Sequence, residues 1–537
     1  MKITKSFIVT VVLAGSFSVG LVVNAGNLDA PHASALPKGK SDTQFFKNSD
    51  VDWREDFATL DRARWTPEVT ASGGGNFEFQ VYTDSEDNLF VRDNVLYLKP
   101  GLTKTHQISS GQFLKNGTGG STPDSVPVVP GDGKNYSGTI TAGDIGEHAI
   151  LGCGKTSFVQ ANDIFTNNGC PVWGKNQIWW LDLGTRCTDN GSSIKLPNNG
   201  GCVLSSGYYV TQAFEDASYS YYSIMKPVTS ARISTKNSKD GFFKYGRLEV
   251  KAKIPKGDWL WPAIWMLPKS TVPIDRDNPT GTGVYGVWPR SGEIDIMEAR
   301  GNDRGCSDAY MDRNPKSNAG GVQSIAGTLH WGESYKKNGF PKTHTAYTVS
   351  DTSGTLDQEF HIFGIRWNET GLYTYLDNDS NHVLEVSFVQ GSFSDRASQK
   401  TEHCLKRGPK DSDNFDCVMN SSENSMEKFP ADIWPTRQGP FDQEFYLILN
   451  VAVGFVDPDP NAGKLGYFPD NYCNKPWQNA GKYPVADFYA AKSDWFPTWT
   501  GGTSSAISDN AALQISEIRY WNEQHAGVFG ELKNPGN

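Results

Sequence analysis

The chain has 537 residues and a formal net charge of −10, and 12% of its residues are aromatic, with 16 Trp beside 55 Gly. The acidic surplus argues against nucleic acid or an anionic membrane as a partner, because those partners need clustered Lys and Arg. The many aromatic and turn-forming residues favour a β protein over a helical one, with a neutral ligand as the best match.

The N-terminus has the pattern of a targeting signal. Residues 1–25 combine two lysines, a long apolar run and an A-x-A-like end, which predicts a secretory signal peptide and therefore a secreted protein. A retained membrane anchor is the alternative, because the run is near the lower limit for spanning a bilayer. Residues 26–48 are small and polar and predict a flexible leader. No later segment is comparably apolar, so we expect no membrane association once the signal is removed.

The cysteines fit an extracellular protein. Eight cysteines could form up to four disulfides that staple loops, and the sequence leaves their pairing open. The absence of any C-x-x-C spacing argues against a zinc site.

Alternating polar and apolar residues predict a series of strands after the leader. These strands cover 76–82, 94–100, 229–235, 244–255, 259–267, 326–332, 359–367, 372–377 and 513–521. A continuous apolar run at 444–454 predicts a strand buried on both faces. No heptads or long amphipathic helices interrupt the series. The pattern predicts an all-β sandwich of two antiparallel sheets, of the jelly-roll type.

Two long stretches break the strand pattern and predict insertions in a single domain that spans 49–525, followed by a C-terminal tail at 526–537. The insertions cover about 101–228 and 385–440. The first contains four of the cysteines and is either a disulfide-tied excursion from the sheet or a small inserted module.

Residues 291–300 read SGEIDIMEAR. In a strand, Glu293 and Asp295 lie on one face and the isoleucines on the other. Strict alternation would send Glu298 to the isoleucine face, but a β-bulge at 296–297 would return it to the other acids. Carboxyls that raise one another's pKa are what glycoside hydrolysis needs. Taken alone, such a triplet is also typical of a solvated acidic edge.

Four further residues are candidates for binding a ligand. Asn76 lies on one face of its predicted strand with the polar residues 78 and 80, and this face is either solvated or lines a sugar cleft. Trp261 and Trp265 face the same way, as a core pair or as a cleft floor on which pyranose rings stack. His330 is either a structural histidine or a group near the carboxylates that contacts substrate or tunes a pKa.

Three motifs together resemble glycoside hydrolase family 16, nearest to the endo-β-1,3-glucanases (laminarinases) and the related β-1,3-glucan recognition proteins. They are KGDWLWPAIWMLP at 256–268, SGEIDIME at 291–298 and TLHWG at 328–332. The resemblance covers about residues 50–525. It implies a concanavalin-like β-jelly roll with an open glucan groove and hydrolysis with retention of anomeric configuration.

The resemblance also implies roles for individual residues. Glu293 matches the nucleophile, Glu298 the acid/base, and Asp295 the residue that hydrogen-bonds the nucleophile. Residues that match sugar contacts are Asn76, Arg232, Trp261, Trp265 and His330. The implied partner is a β-1,3-glucan polysaccharide, bound by a monomer that needs no cofactor or catalytic metal. Relatives carry a structural calcium on the convex face, and its ligands cannot be placed in this sequence.

The chain departs from the family pattern at 454–456, which reads GFV where relatives have a Gly-Gly pair. We expect Phe455 to narrow or re-aim one end of the groove. Two alternatives to a hydrolase stay open. A non-catalytic glucan recognition protein typically lacks the glutamates that are present here, and a cell-wall transglycosylase would use the same residues with a sugar acceptor.

Overall fold

The fold is seen in a computed structural model. It describes the backbone of seven strands between residues 104 and 418 and, with side chains, residues 51–68, 76, 78–102, 227–272, 282–313, 319–350, 354–397, 433–456, 466–479, 484, 487–489, 491–502 and 506–526, together with the backbone of residues 398, 485, 486 and 490. Among these residues no helix is both long and apolar enough to cross a bilayer. The predicted signal peptide and leader, and all but the first residue of the predicted tail, lie outside the described residues. The predicted domain boundaries therefore stay predictions.

The described strands, in chain order, are β1 (Trp53–Glu55), β2 (Thr66–Pro67), β3 (Gln80–Tyr82), β4 (Leu89–Arg92), β5 (Val95–Leu98), β6 (Gly101–Leu102), β7 (Lys104–Ile108), β8 (Gln177–Asp182), β9 (Ser206–Thr211), β10 (Ala213–Asp216), β11 (Tyr219–Tyr222), β12 (Val228–Ser230), β13 (Arg232–Ser234), β14 (Phe242–Phe243), β15 (Gly246–Lys253), β16 (Leu260–Pro268), β17 (Glu293–Ala299), β18 (Ser324–His330), β19 (Gly332–Ser334), β20 (Lys337–Asn338), β21 (His344–Thr348), β22 (His361–Asn368), β23 (Gly371–Leu376), β24 (His382–Ser387), β25 (His403–Lys406), β26 (Phe415–Val418), β27 (Phe445–Val453) and β28 (Leu513–Trp521). The described α-helices are α1 (Arg304–Arg313), α2 (Phe393–Ser398), α3 (Pro484–Ala490) and α4 (Lys492–Thr500).

Two eight-stranded sheets form the framework. The site sheet has the order β2-β13-β27-β16-β17-β18-β21, with β14 beside β27. The back sheet has the order β24-β23-β22-β15-β28-β5-β4, with β1 beside β28. Every pairing within these two sheets is antiparallel. This arrangement confirms the predicted all-β jelly-roll sandwich.

The two sheets pack face to face over one hydrophobic core. Val250 on β15, Ile264 on β16 and Ile294 on β17 are fully buried members of it. All nine residues of β27 are buried, which confirms the prediction of a strand covered on both faces. Alternation on the site sheet sends one set of side chains into this core and the other set to the opposite face, where the acids lie.

The predicted strand at 76–82 is shorter than expected. Asn76 lies in a turn and the strand begins at Gln80. Glu78 and Gln80 are buried, so the polar face is not solvated. Glu78 accepts hydrogen bonds from the Gln80 amide and the Tyr82 hydroxyl, because buried polar groups need partners.

Both predicted insertions contain strands. Within the first, β7, β8 and β9 form an antiparallel sheet and β10 pairs with β11. Within the second, β25 pairs with β26 and brings Cys404 opposite Cys417.

One disulfide, Cys306–Cys473, joins α1 to a single-turn 3-10 helix at Tyr472–Asn474 across 167 residues of sequence. It settles the pairing of two of the eight cysteines.

Candidate active site

A β-bulge brings the three acids of β17 to one face. Asp295 is paired with Thr328 and Glu298 with Ala326, so three steps on β17 oppose two steps on β18. A matching register shift occurs on the β16 side. The two residues between the acids, Ile296 and Met297, are both buried in the core. The predicted bulge at 296–297 is confirmed, and Glu298 shares a face with Glu293 and Asp295.

A glycine sets the start of this strand. Gly292 has φ +84, a left-handed conformation that side chains rarely adopt, and a Cβ there would lie 3.0 Å from the Phe441 ring. The chain therefore turns tightly into β17 directly before Glu293.

Glu293 is held from one side by Trp288. The Trp288 indole N–H donates to Oε2 of Glu293 across 2.8 Å. Oε1 of the same carboxyl lies 3.7 Å from Nε2 of His330. One oxygen of Glu293 is thus fixed by a direct hydrogen bond, and the other faces the imidazole more loosely.

The tautomer of His330 follows from its neighbours. Oδ1 of Asn338 accepts the backbone N–H of Phe340 at 3.1 Å, so the Asn338 amide nitrogen faces His330. That nitrogen lies 2.8 Å from Nδ1 of His330, and an amide nitrogen can only donate. Nδ1 is therefore an acceptor and Nε2 carries the hydrogen, 3.4 Å from Oδ2 of Asp295. The Phe340 ring stacks on the imidazole at 5.1 Å.

Asp295 lies at the centre of the cluster and is only 3% exposed. Its Oδ2 makes no hydrogen bond of good geometry with the described residues. One donor atom each from Asp295, Glu293 and His330 lie within 4.8 Å of one another, the one such group of three among the described residues. A protonated Nε2 cannot ligate a metal, so the group fits proton sharing better than metal binding. The structural calcium implied by the resemblance stays a prediction.

Glu298 is held by Trp261. The Trp261 indole N–H donates to Oε1 of Glu298 at 2.9 Å. Trp261 itself is only 8% exposed. The Tyr467 ring stacks on it with centroids 3.9 Å apart and planes 14° apart, and Phe455 contacts it edge-on at 6.0 Å. Trp261 therefore offers less open ring surface than a cleft floor would need, and its clearest contact is the one to Glu298. The predicted narrowing of the groove by Phe455 stays a prediction.

Burial raises the pKa of all three carboxyls. It raises the pKa of Glu293 to about 8, helped by the charge of Asp295 and opposed by His330 and Trp288. Burial and the charge of Glu298 raise the pKa of Asp295 well above its usual range. Burial also raises the pKa of Glu298, against the lowering effects of His330, Trp261 and Arg300. The cluster therefore holds protons at neutral pH that isolated carboxyls would lose, and it titrates as a unit.

The three carboxyls differ in their hydrogen bonds. Asp295 has the greatest burial of the three, and no N–H group makes a well-aligned hydrogen bond to its Oδ2. Glu293 and Glu298 each accept an indole N–H, and a hydrogen bond of this kind favours the ionised form.

Two of the remaining predicted residues, Trp265 and Arg232, contact each other, and Trp265 lies beside the acids. Trp265 is the cross-strand partner of Asp295. Its indole N–H donates to Oδ1 of Asn450 at 2.6 Å, and the Arg232 guanidinium lies 4.8 Å from its ring centroid. Arg232 is in turn paired with Glu68 at 3.0 Å. The structure thus places Trp265 next to Asp295, and Arg232 against the ring of Trp265.

Asn76 is exposed and more remote. Its amide lies 3.5 Å from Oε1 of Glu78. A buried chain of hydrogen bonds then runs from Glu78 through the Tyr82 hydroxyl to Asn450, the partner of Trp265.

Several residues of the site escaped the sequence analysis: Trp288, Asn338, Asn450, Tyr467 and Arg300. Arg300 could have been found, because it follows Glu298 by two positions and so shares its face. Asn338 and Tyr467 lie outside the three sequence motifs, and no local sequence pattern identifies them.

No model of a protein family matches the chain. The β-1,3-glucan-binding protein of Penaeus monodon is 32% identical to it over 472 residues, which are 87% of this chain and 89% of that protein. The chain belongs to this family, that of the β-1,3-glucan-binding proteins and glucan endo-1,3-β-glucosidases. A second relative, the glucan endo-1,3-β-glucosidase of Cryptopygus antarcticus, is 28% identical over 289 residues, or 53% of this chain and 73% of that protein.

Among solved structures, the laminarinase catalytic domain from Thermotoga maritima matches 88% of this chain and 98% of that domain, with 18% identity and a TM-score of 0.38. Membership of the glucan-binding protein and glucanase family confirms the resemblance that the three motifs predicted.

Proposed function

We propose that this protein is a secreted endo-1,3-β-glucanase that hydrolyses laminarin-type β-glucans with retention, by double displacement. The observation that carries the proposal is the bulge in β17, which places Glu293 and Glu298 on one face, each with one oxygen engaged by an indole N–H. This chemistry requires two carboxyls whose surroundings give them different pKa values.

In the first step, Glu293 attacks the anomeric carbon. Because Oε2 accepts the Trp288 N–H, Oε1 is the oxygen free to form the bond. The N–H of Trp288 and the more distant N–H of His330 stabilise the carboxylate that must be present for attack.

Glu298 completes both steps. Its Oε1 accepts the Trp261 N–H, so Oε2 carries the proton that passes to the departing glycosidic oxygen. The same oxygen then takes a proton from the water that releases the sugar from Glu293. Because burial raises the pKa of Glu293 to about 8, its proton must leave this carboxyl before attack, and Asp295, whose pKa burial also raises, can accept it.

The relatives support a glucan as the substrate. One is named for binding β-1,3-glucan and another for cleaving it within the chain. Trp265 lies beside Asp295 and Arg232 lies against its ring, so a sugar ring bound over the acids would contact Trp265. The mechanism requires no cofactor, and we propose that the protein acts as a monomer outside the cell.

The test is reducing-end release from laminarin by the wild type and by Glu293→Gln and Glu298→Gln. We expect either variant to lower kcat/KM by about 10²- to 10⁴-fold while the chain still folds and binds laminarin. Glu444→Gln is the matched control, since Glu444 is an exposed partner of Lys269 outside the acidic cluster. The product should first appear as the β-anomer by proton NMR. Wild-type-like rates in either variant would refute the proposal.

The second candidate is a glucan recognition protein without catalysis, which is favoured by the name of the relative from Penaeus monodon. It predicts saturable binding to laminarin with no new reducing ends from the wild type. A third candidate, a transglycosylase, predicts products longer than the starting oligosaccharide.

A further inference from the structure

Tyr467 lies between two other side chains in a three-layer stack. Its ring centroid is 3.9 Å from that of Trp261, with nearly parallel planes, and 4.0 Å from the Arg300 guanidinium carbon. Two groups cannot both lie this close to the centroid on one face of a ring. Trp261 and Arg300 therefore cover opposite faces of Tyr467.

Hydrogen bonds fix the stack to the end of β17. The Tyr467 hydroxyl donates to the carbonyl of Ala299 at 2.8 Å, and Nε of Arg300 donates to the carbonyl of Tyr467 at 2.7 Å. These anchors are the two residues that directly follow Glu298. A residue from a distant segment is thereby tied to both sides of the acid, through Trp261 on β16 and through residues 299–300.

The segment that carries Tyr467 is itself fastened at several points. Cys473 is bonded to Cys306, and the buried Lys475 ammonium contacts the Phe468 carbonyl, Asn479 and Asp470 at 2.7 to 2.8 Å. The disulfide and these polar contacts fix the position of the Tyr467 segment relative to the sheet.

We propose that Tyr467 and Arg300 are positioning residues for the acid/base Glu298, acting through the indole of Trp261. This inference rests on the proposed hydrolase function. Tyr467 holds the Trp261 ring in the plane that aims its N–H at Oε1 of Glu298. Arg300 clamps the far face of Tyr467 and adds a positive charge at this end of the acidic cluster.

The stack would affect only the steps in which Glu298 transfers a proton. Departure of a sugar alcohol needs that proton, whereas departure of a dinitrophenolate does not, because the phenolate is already a good leaving group. Glu293 and its partners Trp288 and His330 lie outside the stack. The loss of activity caused by removing the stack should therefore depend on the leaving group, whereas a loss caused by general damage to the site should not.

The experiment compares kcat/KM on laminarin and on a dinitrophenyl β-laminaribioside, since this constant reports formation of the glycosyl-enzyme. For Tyr467→Leu and Arg300→Met we expect a loss of about 10- to 100-fold on laminarin, the value of one hydrogen bond to a charged group. We expect less than about 3-fold on the activated substrate, which needs no proton. Arg92→Met is the matched control, because Arg92 lies 4.8 Å over Tyr97 on the back sheet and should affect neither substrate.

The pH profile gives a second readout. The positive charge of Arg300 lowers the pKa of Glu298, so Arg300→Met should move the basic limb of kcat/KM on laminarin to higher pH. A purely structural role for Arg300 would leave this limb in place. If Tyr467→Leu fails to fold, Tyr467→Phe keeps the ring and removes only the bond to Ala299, and Arg300→Met still decides the question.

The outcomes separate this inference from the proposed function. Equal losses on both substrates, or no loss in Tyr467→Leu and Arg300→Met, would overturn the positioning role provided that Glu298→Gln shows the leaving-group dependence. If the wild type cleaves neither substrate, or if Glu298→Gln behaves as the wild type, the hydrolase function itself fails.

Discussion

Trp288 donates its indole N–H to Oε2 of Glu293 across 2.8 Å, from a position only five residues earlier in the chain. The bond favours the ionised carboxyl, so Trp288→Phe should raise the pKa of Glu293 and move the acid limb of the pH profile upward. We expect kcat/KM on laminarin to fall by about 10- to 100-fold. Trp495→Phe is the control, since that indole donates to the Phe488 carbonyl on α3. An unmoved acid limb would contradict the prediction.

Glu293 should destabilise the fold as it ionises. Burial raises its pKa to about 8, while an unfolded glutamate titrates near about 4.3. Between these values the folded state binds more protons, so stability falls as pH rises. Glu293→Gln removes this loss and should gain stability over the wild type by about 1.4 kcal/mol per unit of pKa shift removed. Urea unfolding at pH 4 and pH 8 measures the difference, which should be small at pH 4 and larger at pH 8. A gain of equal size at both values would count against the raised pKa.

Asn338 should control the tautomer of His330. Its amide donates to Nδ1, so Asn338→Leu frees that nitrogen to carry the hydrogen and turns Nε2 into an acceptor facing two carboxyls. We expect the Nε2–H form to decrease in ¹⁵N NMR spectra of the imidazole and kcat/KM to fall by about tenfold. Asn381→Leu, which removes an amide bonded to the Leu376 carbonyl on the back sheet, should change neither. An unchanged tautomer would show that His330 is set by other contacts.

The Cys306–Cys473 bond should stabilise both the fold and the part of the site around Glu298. Replacing both cysteines by serine should cost about 2 to 5 kcal/mol, because the bond closes a loop of 167 residues. Tyr467 lies six residues before Cys473, so activity on laminarin should fall as well. Thermal unfolding and laminarin assays in the presence and absence of a thiol measure both effects. A double variant as stable as the oxidised wild type would contradict the prediction.

The bulge in β17 could be predicted from the sequence, because the spacing of the acids does not fit simple alternation. Glu293 and Glu298 are five residues apart, and only a bulge reconciles that spacing with a shared face. The long apolar strands could also be predicted, since β27 buries all nine of its residues and β16 buries eight of nine. The jelly roll followed from many such strands without competing helices.

Other elements carried no local signal. Strand β21 reads HTAYT, which is short and polar, and α1 buries only Ser307 and Tyr310, so neither shows a clear apolar period. The stretch at 76–82 alternates like a strand, but Asn76 lies in a turn and Glu78 in an irregular segment, where Glu78 belongs to a buried hydrogen-bond network. Contacts such as Tyr467 with Trp261 join residues about 200 positions apart, and no pattern in one sequence reports them.

The bulge in β17 also makes this strand tolerant of a change in length. An ordinary strand that loses one residue turns every later side chain to the opposite face. Here one of the two residues between Asp295 and Glu298 is already surplus to the pairing with β18. Deleting Met297 would leave E-I-D-I-E, a regular alternation in which both glutamates still point the same way. A deletion of one residue at this position therefore keeps the later side chains on their present faces, whereas in a regular strand it would exchange the two faces. The spacing between the two glutamates can thus change while the sandwich is preserved.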